Sequence, residues 1–297
     1  MRVVLAGASG LIGPALRESL LSAGHTVTTL VRRPASDGEA SWQPDRREID
    51  RSVLAGADAV VCLSGAGVGD HRWSEAYKQT ILRSRLDSVG TLADAMAGLG
   101  DEAPKAFLSA SAVGYYGTTG DAEIVETSPS GDTFLAGVCR QWEGAAAPAE
   151  QAGTRVSYLR TGLVLAPSGG LLGRLRPLAR AGVAGRLGTG RQFMPWISLA
   201  DEIAAIRFVL EQDVRGPVNL VGPAPVRNAE FMTALGHALH RPTVLPTPAF
   251  ALRIALGEFA DEVLGGQRAL PSVLAAAGFS FTHADLDSAL QWALARS

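Results

Sequence analysis

Short apolar runs alternate along the first half of the chain with longer stretches in which apolar residues return every third or fourth position. Residues 2–6, 26–31, 59–63, 105–109 and 155–160 read as buried strands, being rich in Val, Leu and Ala and bounded by turn residues. Between them, Ile12, Leu16 and Leu20 mark the apolar stripe of a helix running to Ala23, with Ala15 beside it. Residues 77–96 and 132–152 predict two longer helices, the second ended by Gly153. Strands and helices in this alternation predict an α/β chain with a doubly wound parallel sheet and helices on both faces. Asp37 and Glu39 fall in a stretch that the pattern leaves as loop.

Past Thr161 the rhythm changes. Gly and Pro crowd residues 162–195, and the remainder mixes a short strand at 218–220 with helices at 200–211, 229–239 and 249–264. This predicts a core over residues 1–161 and, over 162–297, mainly a smaller C-terminal α/β lobe suited to holding a substrate. Strands near 192–198 and 216–221 are expected to return to the core. The chain has no internal repeat and no low-complexity tract.

Composition narrows the function classes. A hydrophobic content of 47% over 297 residues supports a substantial core with an added lobe. A net charge of −2 without a basic stripe argues against a nucleic-acid surface. No apolar stretch approaches the roughly twenty residues of a membrane span, and the chain enters its first strand without a charged-then-apolar leader. Cys62 and Cys139 are the only cysteines, which suits a reducing cytoplasm and offers no metal-ligand cluster. A cytoplasmic protein acting on a small molecule, with no metal, no membrane and no nucleic acid, is the expectation.

The candidate chemistry begins in the turn after the first strand, Gly7-Ala8-Ser9-Gly10-Leu11-Ile12-Gly13. Backbone amides at a helix start bind an anion only where no side chain blocks them. Gly7 allows the sharp reversal, Gly10 opens the path of a pyrophosphate, and Gly13 lets the helix approach the sheet. Pro14 is tolerated in a first turn, where its missing amide has no partner to lose. The spacing is GxxGxxG rather than GxGxxG, and it is the preceding strand and following helix that make it a dinucleotide site in a Rossmann-like fold. Gly7, Ser9, Gly10, Leu11, Ile12 and Gly13 are therefore cofactor candidates. Arg32 and Arg33 close the second strand where a carboxylate would bind the ribose of NAD(H). Paired guanidiniums instead favour a 2′-phosphate, hence NADP(H) over NAD(H). A merely solvated strand edge is the other reading of these two residues.

Further motifs carry a resemblance. They are the GASGLIG turn, Leu63-Ser64-Gly65, Arg72-Trp73 with Lys78, Ser84-Arg85, the run from Ser109 to Gly117, Phe134-Leu135-Ala136 with Trp142-Glu143, and Gly190 to Ile197. Together with Arg241-Pro242, Gly257-Glu258, Pro271 and Gly278-Phe279, this full-length pattern resembles an atypical branch of the extended short-chain dehydrogenase/reductases. The branch is labelled nucleoside-diphosphate-sugar epimerase-like, or cell-division inhibitor, and has a small C-terminal domain. The resemblance implies that Leu63, Ser64, Gly65 and Ser109 line the nucleotide and that Thr161, Gly162 and Leu163 support the nicotinamide. Arg72, Trp73, Lys78, Arg191 and Trp196 would face the substrate. In this superfamily a tyrosine and a lysine four residues on perform the proton transfer, and those positions align with Leu135 and Cys139. None of the four tyrosines, at 77, 115, 116 and 158, has a lysine four residues on. The accompanying serine aligns with Ala112, or with Ser111 after a one-residue shift.

Two function classes follow. In one, the chain is an NADP(H)-dependent oxidoreductase or epimerase whose proton donor is drawn from Ser111, Tyr115 and Tyr116, with Glu143 a further candidate. In the other, it binds NADP(H) without turnover, as a redox sensor or interaction module. His25 and His71 have no partner spacing and read as turn or surface residues. For Trp196, Met194 and Asp201 the alternative reading is packing beneath the smaller lobe, with Asp201 as a helix cap. A homodimer through a helical face is compatible with the sequence, as in many members of that branch.

Overall fold

The structure is a computed structural model and describes residues 1–295. In β1 (Arg2–Ala6), Val3, Val4, Leu5 and Ala6 have no exposed surface. Successive strand side chains point to opposite faces, so a strand buried in this way is covered on both. It lies inside an eight-stranded sheet with β2 (Thr26–Val31), β3 (Glu39–Gln43), β4 (Glu48–Ile49), β5 (Ala59–Cys62), β6 (Ala106–Ala112), β7 (Arg155–Thr161) and β8 (Gly216–Leu220). The order is β8-β7-β6-β5-β1-β2-β3-β4. The pairs β1–β2, β1–β5, β2–β3 and β5–β6 are parallel, and β4 runs antiparallel to β3. Successive strands build outward from β1 in one direction as far as β4, and the chain then returns to β1's other side with β5. That reversal leaves a crevice at the carboxyl ends of β1 and β5, where open α/β sheets take their ligands.

Helix α1 (Gly13–Ser22) buries Leu16 and Leu20 against β1 and β2. Helix α2 (Glu75–Ala97) starts at Ser74, whose Oγ accepts the Tyr77 amide. Its Val89, Leu92, Ala93 and Met96 share one core with Val4, Val60, Phe107, Val156 and Trp142. The helix expected over 132–152 is two, α3 (Phe134–Gly144) and α4 (Ala147–Gln151). Pro148 explains the break: without an amide it cannot continue a helix, but it fits the first turn of a new one.

Other departures share one cause, weak local patterning. Strand β3 occupies the stretch read as loop, because only Trp42 of its five residues is buried and no alternation shows. Helix α5 (Gly170–Arg180) forms inside the Gly/Pro-rich region with Pro177 within it. Beyond α6 (Leu199–Glu211) and α7 (Asn228–Leu239), the helix expected over 249–264 divides into α8 (Ala249–Leu256) and α9 (Phe259–Leu264) at Gly257, where φ is +63°.

The chain forms two compact units, each taken from several segments. The first comprises Met1–Ser111, Val138–Leu159 and Ile206–Val218, and the second Ala112–Gly137, Arg160–Ala205 and Asn219–Ser297. The second has its own core around Trp196, Phe231, Leu235 and Leu290. Three two-stranded pairs brace it: Leu163–Leu165 with Trp196–Ser198, Phe193–Met194 with Val226–Arg227, and Glu123–Ile124 with Arg268–Ala269. Among the described residues no helix is long and apolar enough to cross a membrane.

Phe107 lies fully buried on β6 in the core of the first unit. Phe107→Ala is expected to cost about 3–5 kcal/mol in chemical denaturation, as for other large-to-small core changes. A cost under about 1 kcal/mol would show that this core is loosely packed.

Candidate functional site

The glycine turn is built by contact as well as by conformation. Gly7 has φ +85°, and a Cβ there would stand 2.6 Å from the Leu63 carbonyl carbon and 2.7 Å from the Ser64 nitrogen. A Cβ on Gly13 would press on the Gly7 oxygen and lie 2.5 Å from the Ala8 Cα. At Gly10 the only neighbour within reach is the Gly7 oxygen at 3.6 Å, so this side of the turn is open. Ile12 precedes α1 without any side-chain cap, and the first turn carries no acidic residue. The amides at this helix start are therefore available to an anion, with no carboxylate to repel it. Of the flanking candidates, Ser9 and Leu11 are exposed, as is Gly65 after β5, while Leu63 and Ser64 are half-buried.

Arg32 and Arg33 are both exposed at the end of β2 but differ in their surroundings. Arg33 forks onto Glu39, with Nη1–Oε2 and Nη2–Oε1 both 2.7 Å. Arg32 has no ion-pair partner among the described residues. The open glycine face and the uncapped amides fit the diphosphate of a dinucleotide such as NAD(P)(H).

Arg85, to which the sequence assigned no role, reaches the same end of the sheet from α2. It is nine-tenths buried, donates to the Ala66 and Ile81 carbonyls at 2.9 Å, and stacks 4.7 Å from the Trp142 ring centre. A Cβ on Gly65 would lie 3.2 Å from its side chain, so Arg85 forms the floor beneath the Leu63–Gly65 loop. Ser84 Oγ holds the same loop through the Ala66 amide at 3.0 Å. Ser109 is fully buried in β6. Two residues on, Ser111 donates its hydroxyl to Glu143 Oε1 at 2.7 Å, and both groups are buried. The sequence left Glu143 as a side candidate, and the fold makes it the partner of Ser111. Of the first unit's substrate candidates, Arg72 is exposed and Lys78 pairs with Glu75 at 2.8 Å. Trp73 is packed, with Nε1 donating to the Val68 carbonyl.

In the second unit, Tyr116 is 2% exposed; its hydroxyl donates to Asn219 Oδ1 at 2.7 Å and accepts from Arg160 Nη1 at 2.9 Å. Burial pushes this phenol above its ordinary pKa, and the nearby Arg160 only partly offsets that. Its one proton is thus committed inside a network that continues through Asn219 to the Leu270 carbonyl. Tyr115 is half-buried and lies flat against the Arg160 guanidinium, 3.5 Å from ring centre to Cζ. Gly162 is required by its neighbours, since a Cβ would strike the Pro195 oxygen and come within 2.9 Å of Val221. Leu163 beside it is half-buried.

Trp196 is 1% exposed, with Nε1 donating to the Ala224 carbonyl, so its ring packs in the core and offers no free face. Arg191 is exposed. The reading of Asp201 as the α6 cap is corrected: the cap is Ser198, whose Oγ accepts the Asp201 amide at 3.0 Å. The Asp201 carboxylate instead takes the Thr282 and His283 amides, at 2.7 and 3.0 Å, and the Ser198 hydroxyl at 2.8 Å. His283 Nδ1 lies 2.9 Å from the same hydroxyl.

Glu202 was also missed by sequence reasoning. It has no exposed surface, and its Oε1 accepts from the Thr161 hydroxyl at 2.9 Å. Oε2 has no hydrogen-bond partner among the described residues. Burial pushes this acid up to about 8, which favours its protonated form at neutral pH. Only its place beside Asp201 in a helical first turn was visible in the sequence, and that pattern reads as a solvated helix start.

Comparison with known proteins gives a consistent result. The family model described as the NAD dependent epimerase/dehydratase family matches residues 3–222, and one described as a domain of unknown function, DUF1731, matches residues 247–293. The chain is 50% identical over 297 residues to the Epimerase family protein Mb2239 of Mycobacterium bovis, covering 99% of this chain and 98% of that protein. It is 35% identical to the human Epimerase family protein SDR39U1, covering 98% and 99%. The crystal structure of human SDR39U1 with NADPH matches at a TM-score of 0.92 and 33% identity, covering 99% of each chain. A nucleoside-diphosphate sugar epimerase from Corynebacterium glutamicum matches at 0.81 and 34% identity, covering 99% of this chain and 58% of that one.

Glu202 gives a test by pH. Its folded value of about 8 lies above its ordinary 4.5, so between these values the folded chain keeps a proton that the unfolded chain releases. Its contribution to stability is complete below the lower value and declines as pH rises, by at most about 1.4 kcal/mol per pH unit. Glu202→Gln keeps an acceptor for Thr161 without a charge. Urea midpoints are expected to show the variant gaining on the wild type from about pH 5 to about pH 8. Parallel pH profiles would show that Glu202 is ionised in the folded chain.

Proposed function

The chain belongs to the NAD dependent epimerase/dehydratase family, and on that premise we propose that it binds NADP(H) in preference to NAD(H) and catalyses hydride transfer on a small-molecule substrate, as an oxidoreductase or a nucleotide-sugar epimerase. One observation carries the catalytic half of this reading: the buried hydrogen bond from Ser111 to Glu143 at the carboxyl end of β6. The cofactor half rests on the open glycine turn and the two arginines after β2. The NADPH held by human SDR39U1 supports it.

The bound nicotinamide supplies or accepts the hydride. The chain's own residues must then move one proton; none of its tyrosines has a lysine four residues on, and the resemblance puts Leu135 and Cys139 where the usual Tyr-x-x-x-Lys pair would stand. Ser111 and Glu143 supply an alternative. As a substrate hydroxyl becomes a carbonyl, its proton passes to Ser111 Oγ while the serine proton passes to the Glu143 carboxylate, and reduction runs the same path backwards. Serine gives the reach and glutamate the basicity. Tyr116, whose hydroxyl is already engaged on both sides, is better suited to bracing the second unit. Arg72 and Arg191 are the exposed guanidiniums proposed to meet anionic groups of a substrate such as a nucleoside diphosphate.

Purified protein titrated with NADPH should quench or shift its fluorescence, and should oxidise it in the presence of quinones, aldehydes or nucleotide sugars. Ser111→Ala and Glu143→Gln are each expected to lower kcat by about 10²–10⁴-fold, the usual scale for a lost acid–base group, while the Kd for NADPH stays nearly constant. Tight binding with no turnover on any of these substrates would support the sensor reading instead.

A further inference from the structure

The two arginines that follow β2 are unequal, and the cause is Glu39. Its carboxylate occupies the end-on edge of the Arg33 guanidinium, both terminal nitrogens lying 2.7 Å from a Glu39 oxygen. The carboxylate is the fixed member of this pair. Glu39 opens β3, in register with Thr29 of β2, its Oε2 also accepts the Ser36 amide at 2.9 Å, and its side chain is 20% exposed. Arg33 is 59% exposed, and besides Glu39 its guanidinium bonds the adjacent Pro34 carbonyl at 3.0 Å, so it is the more solvent-accessible member. The Arg33 main chain is held separately, its carbonyl accepting from Ser41 Oγ at 2.8 Å.

A 2′-phosphate asks a guanidinium for the same planar fork that a carboxylate uses. It can take Arg33 from Glu39 only by leaving the carboxylate without its cation, and it can share Arg33 only by lying beside that carboxylate. Either way two anions come close, which is unfavourable. The carboxyl is held down to about 2, chiefly by its hydrogen bond to Arg33, and stays charged throughout the physiological range. Arg32 has no such competitor.

We propose that Glu39 is a specificity-determining residue that withholds the Arg33 fork from an adenosine 2′-phosphate, leaves Arg32 as the main phosphate contact, and so narrows the preference for NADP(H) over NAD(H). This rests on the cofactor reading proposed above. It also explains how a chain with two arginines at this position can behave as though it had one.

The test is direct binding of NADPH and NADH, and of the fragments 2′,5′-ADP and ADP, by calorimetry or fluorescence. Glu39→Gln, with Glu39→Ala as a second variant, should tighten NADPH and 2′,5′-ADP by about tenfold through the released guanidinium, with NADH and ADP changing about twofold or less. Arg33→Ala should weaken NADPH by about threefold or less in the wild type but by about tenfold in the Glu39→Gln background, the non-additivity expected of interacting groups. Arg32→Ala should cost about tenfold or more for NADPH in either background. Thermal denaturation checks that each variant is folded. An NADPH to NADH ratio unmoved in both Glu39 variants overturns the inference while leaving the cofactor reading intact. Weaker NADPH binding in them also overturns it, by showing that Glu39 aims Arg33 at the phosphate. If the wild type binds neither dinucleotide, the cofactor reading falls and this inference with it.

Discussion

The backbone of Gly7 lies so close to Leu63 and Ser64 that a methyl group would have no room between them. This contact joins the loops after β1 and β5, the two neighbours at which the strand order reverses. It sets where α1 begins and hence where its uncapped amides point, and Gly13, equally crowded, seats the helix on the turn. The crevice at that place is thus a product of steric exclusion: the chain can approach itself only where side chains are missing.

In each unit, polar groups are buried with partners whose number and kind set their surroundings. Ser111 and Glu143 form a buried donor–acceptor pair. Tyr116 sits in a network with Arg160 and Asn219 that runs on to Leu270, and its phenol oxygen both donates and accepts. The first is a single donor–acceptor pair and the second a wider network, and the difference lies in how many partners each buried hydroxyl meets. Glu202 is a third case. Burial with one donor favours its neutral form, which spares the fold an uncompensated charge.

Charge placement at the end of β2 follows the same logic. Two adjacent arginines carry equal formal charge, yet one is bound to a carboxylate fixed by strand pairing and the other is not. Electrostatic recognition depends on free donors, so counting cations there overstates what the surface offers a phosphate.

The sequence by itself determined the β1–turn–α1 unit, the parallel core strands and the lack of a Tyr-x-x-x-Lys pair, because glycine spacing, apolar periodicity and a four-residue offset are local properties. It could not disclose β3, whose five residues bury only Trp42, and so it left Glu39 in a loop six positions from the arginine it binds. Nor could it join Ser111 to Glu143, 32 residues apart, or Tyr116 to Asn219, 103 apart. Those partners are chosen by the order of strands in the sheet and the faces their helices cover. Such choices depend on long-range packing, and no local pattern encodes which distant segment will become a neighbour.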